Sequence, residues 1–384
     1  MALDEATLGQ LRETVRRFVS ERLIPLEAQV AEDDVVPESV VEEMRALGLF
    51  GLSIPEKYGG LGLSMFEEVQ IAFEFGRTSP AFRSVIGTNN GIGSHGIIID
   101  GTETQKNYYL PLLARGEIIS AFALTEPQSG SDAASISTTA RREGDEYVIN
   151  GTKRYITNAP EASLFTVFAR TAPKADGVKG ISALLVEGDI PGITIGPWDR
   201  KMGQRGAHTA DVTFTDCRVS ADALISGAEG VGFKTAMKVL DRGRIHIGAV
   251  CVATAERLID DSLRYAMERQ QFGEPIAEFQ LIQAMLADSR AETYAARCMV
   301  EETARRRDSG LPVVTEASCC KLFCAEMVGR VADRAVQIHG GAGYMAEYGI
   351  ERFYRDVRLF RIYEGTSQIQ QLVIARNMMR EAGE

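Results

Sequence analysis

The chain lacks several features that would narrow its function at once. Six cysteines, at 217, 251, 298, 319, 320 and 324, include no C-x-x-C pair, and none of the four histidines stands at zinc-ligand spacing. No disulfide framework and no metal site are therefore expected, and the thiols read as buried and reduced. Positive charge is short. Against 53 Asp and Glu stand 42 Lys and Arg, a formal net charge of -11, which disfavours nucleic acid and anionic membranes as partners. A local basic pocket for phosphates remains open. No run approaches about eighteen uninterrupted apolar residues, so no transmembrane helix is expected. The first thirty residues are acidic and amphipathic, without a signal-peptide pattern. A cytoplasmic location is the expectation, with a processed mitochondrial matrix protein as the alternative. There is no internal repeat, no low-complexity tract and no G-x-G-x-x-G between a strand and a helix.

What is there is ordinary globular material: 384 residues, 45% hydrophobic and 25% charged, enough for two or three domains. The texture changes twice. Leu8, Leu11, Val15, Phe18 and Val19 repeat at helical spacing, as do Val40, Val41, Met44 and Leu47 before Gly48. Helices are also expected over about 66–75 and 95–113. From about residue 118 come short β-forming runs at 119–125, 135–141, 146–150, 164–170, 181–186 and 210–216. Asn150-Gly151 reads as a hairpin turn. Several short strands close together suggest an antiparallel barrel or sandwich. The stretch 196–208 reads as a long surface loop. After Gly232 long helical patterns return over roughly 233–268, 277–307 and 313–338, with a last helix from about Thr366 to Arg380. The expected α+β architecture is an N-terminal helical domain (1–118), a middle β domain (119–228) and a C-terminal domain resembling a four-helix bundle (229–384).

Three segments carry chemistry. Ala123 to Asp132 (A-L-T-E-P-Q-S-G-S-D) joins a strand-like run to a glycine-containing loop whose main-chain N–H groups can face a pyrophosphate or a flavin edge. Thr125, Ser129 and Ser131 add hydroxyl donors; an ordinary polar turn would have the same composition. Gln337 to Tyr344 (Q-I-H-G-G-A-G-Y) holds more glycine than a helix cap needs, which fits backbone packed against a ligand or a second subunit. Arg361 to Gln368 (R-I-Y-E-G-T-S-Q) contains the carboxylate Glu364.

Together these segments resemble the acyl-CoA dehydrogenase family over nearly the whole chain. Ala123–Asp132 is similar to its first signature. Gln337 through Glu347 and Arg352 to Asp356 is similar to its second, and Y-E-G-T-S-Q-I-Q to its catalytic stretch. The resemblance implies FAD, an acyl-CoA thioester, removal of an α-proton by Glu364, and β-hydride transfer to flavin N5. Hydrogen bonds to the thioester carbonyl stabilise the developing enolate; in the family the donors are a flavin ribityl hydroxyl and the glutamate's own N–H. A carboxylate withdrawn from water is a stronger base. Gly365 lets substrate and backbone approach closely. Some members carry the base on another helix, at the position of Gly243, which cannot serve here.

The resemblance also assigns binding residues. Ser131, Asp241, Arg244 and Gly365 would face substrate. Phe122, Leu124, Thr125, Gly130 and Ser131 would line FAD, as would Tyr155, Ile156 and Thr157, where tyrosine departs from the family's usual tryptophan. Arg269, Phe272 and Gln280 resemble positions that hold FAD from a neighbouring subunit, and Gln337, Gly340, Gly341, Thr366 and Gln368 complete the set. Contacts from a neighbour imply a homotetramer built as a dimer of dimers; the electron acceptor implied is an electron-transferring flavoprotein.

Arg83, in Ser79-Pro80-Ala81-Phe82-Arg83-Ser84, is similar to the arginine that binds the distal carboxylate in glutaryl-CoA dehydrogenases. A guanidinium meets such a carboxylate bidentately. The serine four residues further on in those enzymes is Gly87 here. Two acyl classes follow: a plain short acyl-CoA, or a dicarboxylyl-CoA read by Arg83. Flavin oxidases and monooxygenases on the same fold tend to lack this glutamate, a related desulfinase group lacks it too, and a non-catalytic scaffold would show a damaged site.

Overall fold

The computed structural model describes residues 3–383. Seven helices open the chain: α1 (Glu5–Phe18), α2 (Glu27–Asp33), α3 (Glu38–Ala46), α4 (Met65–Phe75), α5 (Pro80–Asn90), α6 (His95–Asp100) and α7 (Glu103–Ala114). Their starts are written locally. Asp4 accepts from Thr7 N, and Ser64 and Thr102 form reciprocal capping boxes with Glu67 and Gln105. Ser79 caps α5, and Pro80 sits in its first turn, where no intrahelical N–H is needed. The single helix expected over 95–113 is two: Gly101 is extended, and Thr102 begins a new capped helix.

Seven strands follow: β1 (Ser120–Ala123), β2 (Thr139–Glu143), β3 (Glu146–Thr157), β4 (Leu164–Arg170), β5 (Ile181–Glu187), β6 (Ile193–Ile195) and β7 (Thr209–Ser220). They form one curled sheet in the order β1-β4-β2-β3-β7-β6, with β5 also on β4. All seven residues of β4 are buried, as its run of apolar residues suggests, whereas β7 alternates over its first half. The sheet is mainly antiparallel, as expected, with β1 and β2 pairing with β4 in parallel at one side. Asn150-Gly151 is not a turn. β3 runs through it, and the β2–β3 hairpin turns at Gly144-Asp145. Gly151 instead marks a register shift; a Cβ there would lie 2.5 Å from Thr138 Oγ1.

The C-terminal part is α8 (Gly232–Glu268), a small hairpin of β8 (Gln270–Gln271) and β9 (Glu274–Pro275), α9 (Gln280–Asp308), α10 (Val314–His339), α11 (Gly341–Tyr344), α12 (Ile350–Val357) and α13 (Ser367–Gly383). Helices α8, α9 and α10 pack around Ile245, Val250, Val300, Cys324 and Val328, and α4 adds Val69 and Phe73 to the same core. Each such large apolar side chain contributes roughly 1.5–3 kcal/mol, so the N-terminal helices are tied to the C-terminal bundle. The expected surface loop 196–208 is half buried: Gln204 N donates to Asp356 Oδ1, and a Cβ on Gly203 would lie 2.7 Å from the same oxygen. All six cysteines are free thiols, four of them buried. Among the described residues no helix is long and apolar enough to cross a membrane, and no acidic, His or Cys cluster is placed to hold a metal.

Candidate active site

A cleft of about 650 Å³ opens where the three parts of the chain meet. The middle sheet supplies Phe122 and Leu124 at the end of β1, then Thr125, Gly130 and Ser131 from the loop beyond. That loop is held by charge. Glu126 Oε1 meets Lys153 Nζ at 2.8 Å, Glu126 accepts from the N–H groups of Ser137 and Thr138, and Lys153 also donates to Leu124 O. Neither side chain is exposed, and the buried pair is supported by further hydrogen bonds on both partners. Tyr155, Ile156 and Thr157, ending β3, form the adjacent wall; Tyr155 has φ 57° and stays half exposed at the mouth. Asn158 follows and donates to Ser84 O and Thr88 Oγ1, fastening the sheet to α5.

Glu364 faces this wall from the loop before α13. Its φ is 53°, a left-handed conformation costing a non-glycine residue roughly 1–3 kcal/mol. Its Oε2 is buried and has no hydrogen-bond partner. A Cβ on Gly243 would collide with that oxygen, so two positions far apart in the chain converge on one point and only one can carry a side chain there. Gly365, Gly243 and Arg244 line the same cleft; Arg244 Nη1 is paired with Asp241 Oδ1 at 2.6 Å. Asp241 itself does not line the cleft, and burial raises its carboxyl pKa against the pull of Arg244 and Arg307.

Arg83 lines the cleft from α5. Its side chain lies over Gly87, where a Cβ would come within 3.0 Å of its Cζ, and its Nε donates to His246 Nε2 at 3.2 Å. His246 Nδ1 is 3.0 Å from Glu68 Oε1, and Glu68 Oε2 is paired with Arg242. Because Nε2 accepts from Arg83, the ring proton belongs on Nδ1, donated to Glu68. Burial, reinforced by the Arg83 charge, lowers the His246 pKa, so the ring is neutral. Burial pushes the Glu68 carboxyl up, but Arg242 and His246 outweigh it and hold it at about 2. The chain of groups therefore carries two guanidinium charges against one carboxylate. Sequence reasoning missed Glu68 and His246. The legible signals were two adjacent acids opening an otherwise apolar helix, and Arg242 and His246 four residues apart on one face of α8.

The other expected residues lie elsewhere. Arg269, Phe272 and Gln280 are exposed around the small hairpin, with Phe272 95% exposed. Gln337, Gly340 and Gly341 are exposed at the end of α10, close to that hairpin: Tyr265 stacks on His339 at 4.3 Å, and Ile276 clusters with Ile338. Thr366 caps the start of α13 and Gln368 lies in its first turn, both outside the cleft lining.

Matches to known proteins follow this division. The family models for the acyl-CoA dehydrogenase N-terminal, middle and C-terminal domains cover residues 5–117, 121–217 and 230–379. The chain belongs to the acyl-CoA dehydrogenase family. It is 44% identical to an acryloyl-CoA reductase (NADH) of Anaerotignum propionicum, over 96% of this chain and 94% of that one. It is 41% identical to the human mitochondrial short-chain specific acyl-CoA dehydrogenase, over 97% and 90%. A solved glutaryl-coenzyme A dehydrogenase–glutaryl-CoA complex superposes with a TM-score of 0.92 at 31% identity, over 99% and 96%. The three-domain fold of the family is the fold described above, and its members are oxidoreductases that depend on FAD.

The residues present fit such a group. Gly130 presents open backbone, with nothing within 4 Å of where a Cβ would stand, and Thr125, Ser131 and Thr157 line the same cleft with their hydroxyl side chains. Glu364 lines the same space, and its unpartnered Oε2 lies buried where a Gly243 Cβ would stand.

Proposed function

We propose that this chain is an FAD-dependent acyl-CoA dehydrogenase acting on a short acyl-CoA thioester, with Glu364 as its base. The observation that carries the reading is the Glu364 carboxylate at the cleft wall, with one buried oxygen bonded to nothing and Gly243 leaving room for it. Glu364 takes the α-proton while the thioester carbonyl receives the developing charge. Gly365 lets the substrate pass close to the backbone, and Arg244, fixed by Asp241, orients the CoA arm. Bound between Phe122–Ser131 and Tyr155–Thr157, FAD supplies a hydride acceptor for the β-carbon. Arg269, Phe272, Gln280, Gln337, Gly340, Gly341, Thr366 and Gln368 are assigned to FAD held across a subunit boundary. Their position away from the cleft supports a homotetramer in which each site is finished by a neighbour. Electrons pass to an electron-transferring flavoprotein in a cytoplasmic setting, and domain boundaries fall near 118 and 228.

Anaerobic bleaching of the flavin by butyryl-CoA, retained FAD but strongly slowed bleaching in Glu364→Gln, and no peroxide in air are the expected results. Bleaching at full rate by Glu364→Gln removes the base assignment; stoichiometric peroxide would move the protein to the oxidases.

A second reading has its own observation. The only side-chain hydrogen bond of Arg83 among the described residues uses Nε, so both Nη groups are left for a ligand, and the network around it carries a surplus positive charge in a chain of net -11. This favours a dicarboxylyl-CoA of succinyl or glutaryl size. Leaving such a cation beside a purely apolar acyl tail is costly. Glutaryl- and succinyl-CoA bleaching faster than butyryl-CoA would establish it, and the reverse order would return Arg83 to a structural role.

A further inference from the structure

Lys321, in α10, is fully buried in the C-terminal core. Its neighbours are Cys251 and Arg244 from α8, Glu326 from its own helix and Glu364 from the loop. Its only hydrogen bond among the described residues runs from Nζ to Gly365 O at 2.7 Å. An ammonium has three donors, and one taken from water with a single carbonyl partner is costly. Such a group persists in a core when something else depends on it. On the other side of the same loop Gln370, also fully buried, donates through Nε2 to Glu364 O at 3.2 Å and Gly365 O at 3.1 Å. Two buried donors from two helices thus hold the carbonyls on either side of the Gly365 α-carbon. Glu326 fastens the flanks, meeting Arg361 Nε at 3.2 Å and accepting from Ser367 Oγ at 2.7 Å.

We infer that Lys321 is a positioning residue for proton abstraction: through the Gly365 carbonyl it holds Glu364 in its left-handed conformation, with the carboxylate aimed at the α-carbon. Lys321 touches neither substrate nor flavin in this assignment. The inference rests on Glu364 as the base. It adds a pH dependence, because burial, opposed by Cys251 and Glu364, brings the Lys321 pKa down to about 8. Above that pH the charge-assisted bond to Gly365 O becomes a neutral and weaker one, and the base loosens.

Exchange of the acetyl-CoA methyl protons in D₂O tests this, followed by NMR on the purified holoenzyme. Acetyl-CoA has no β-carbon, so no hydride can leave. Glu364 takes a proton as the C–H electron pair moves into the thioester enolate, and a solvent-derived deuteron returns to the same carbon. Wild type should exchange with an alkaline fall near pH 8. Lys321→Met should exchange at least roughly tenfold more slowly, with acetyl-CoA affinity changed less than about threefold and no break near pH 8. Lys321→Gln, which keeps a donor without the charge, should recover part of the rate and lack the break. Wild-type exchange and pH profile in Lys321→Met overturn the inference. If that variant does not fold, Lys321→Gln decides, and a wild-type profile in it overturns the inference equally. Glu364→Gln is the control: exchange surviving in that variant sinks the base assignment itself, a different outcome from failure of Lys321 alone.

Discussion

Lys153 in β3 and Lys321 in α10 are both fully buried, and burial lowers both pKa values, but their partners differ in kind. Lys153 meets the Glu126 carboxylate at 2.8 Å and the Leu124 carbonyl at 3.1 Å. Lys321 has one backbone carbonyl and, among the described residues, no carboxylate within bonding distance. The first is a closed ion pair that holds the loop along the proposed flavin wall. The second is an open cation spent on the geometry of one peptide. A buried charge paired with an opposite charge belongs to the scaffold, and one without a bonded counter-ion points to the site it serves.

Several measurements would break or sharpen that contrast. The largest effect is expected from Glu364→Gln, which removes the group that Lys321 positions. Flavin bleaching by the best thioester should fall by roughly 10²–10⁴-fold with FAD content unchanged, read in an anaerobic stopped flow. Next comes Lys153→Met. It strands Glu126 as a buried unpaired carboxylate and should cost about 3–5 kcal/mol in urea unfolding, whereas Lys321→Met should cost only about 1 kcal/mol because Gln370 still serves the Gly365 carbonyl. Equal losses from the two would mean that the lysines play the same structural part.

Acid should distinguish them too. The Glu126 carboxyl is pushed up by burial but held down at about 2 by Lys153 and the Ser137 and Thr138 donors, below its ordinary value of 4.5. A carboxyl whose pKa is depressed by folding stabilises the protein above its unfolded pKa, and that stabilisation is lost as pH falls through the folded value. Stability should therefore decline between about pH 4.5 and about pH 2, and Glu126→Gln should flatten that decline. A decline of unchanged steepness in the variant would assign the acid sensitivity elsewhere.

At the far end of the cleft the expected effect is one of selectivity. Arg83→Met should weaken a glutaryl or succinyl thioester by roughly 2–5 kcal/mol and butyryl-CoA hardly at all, measured as binding to the oxidised enzyme. His246→Leu should show a weaker version of the same preference, since it removes the acceptor that orients Arg83 but not the charge. Equal losses for both thioester classes would make the network structural.

Much of the fold was legible in the chain. Helical spacing placed the long C-terminal helices within a few residues of α8, α9 and α10, because periodic apolar patterns over about twenty or more residues leave little choice. The turn assigned to Asn150-Gly151 failed because a dipeptide preference is weak against a strand whose register the sheet imposes. Motif resemblance brought Glu364, Gly365, Arg244 and Arg83 to one cleft, together with the Phe122–Ser131 and Tyr155–Thr157 walls. Glu68 and His246 were missed although local signals existed, and Gln370 and Lys321 gave none, since each matters only through a partner on another element.

The sequence by itself determined the α–β–α order, the family and the identity of the candidate base, because periodicity and short motifs are local properties of a chain. Only the tertiary structure decided that Gly243 makes space for the Glu364 carboxylate, that Arg83 is held by a neutral histidine, and that a buried lysine donates to the carbonyl of Gly365, next to Glu364. Those are statements about distances between segments far apart in the chain, and the value of a charge or a hydrogen bond depends on what surrounds it after water has been removed.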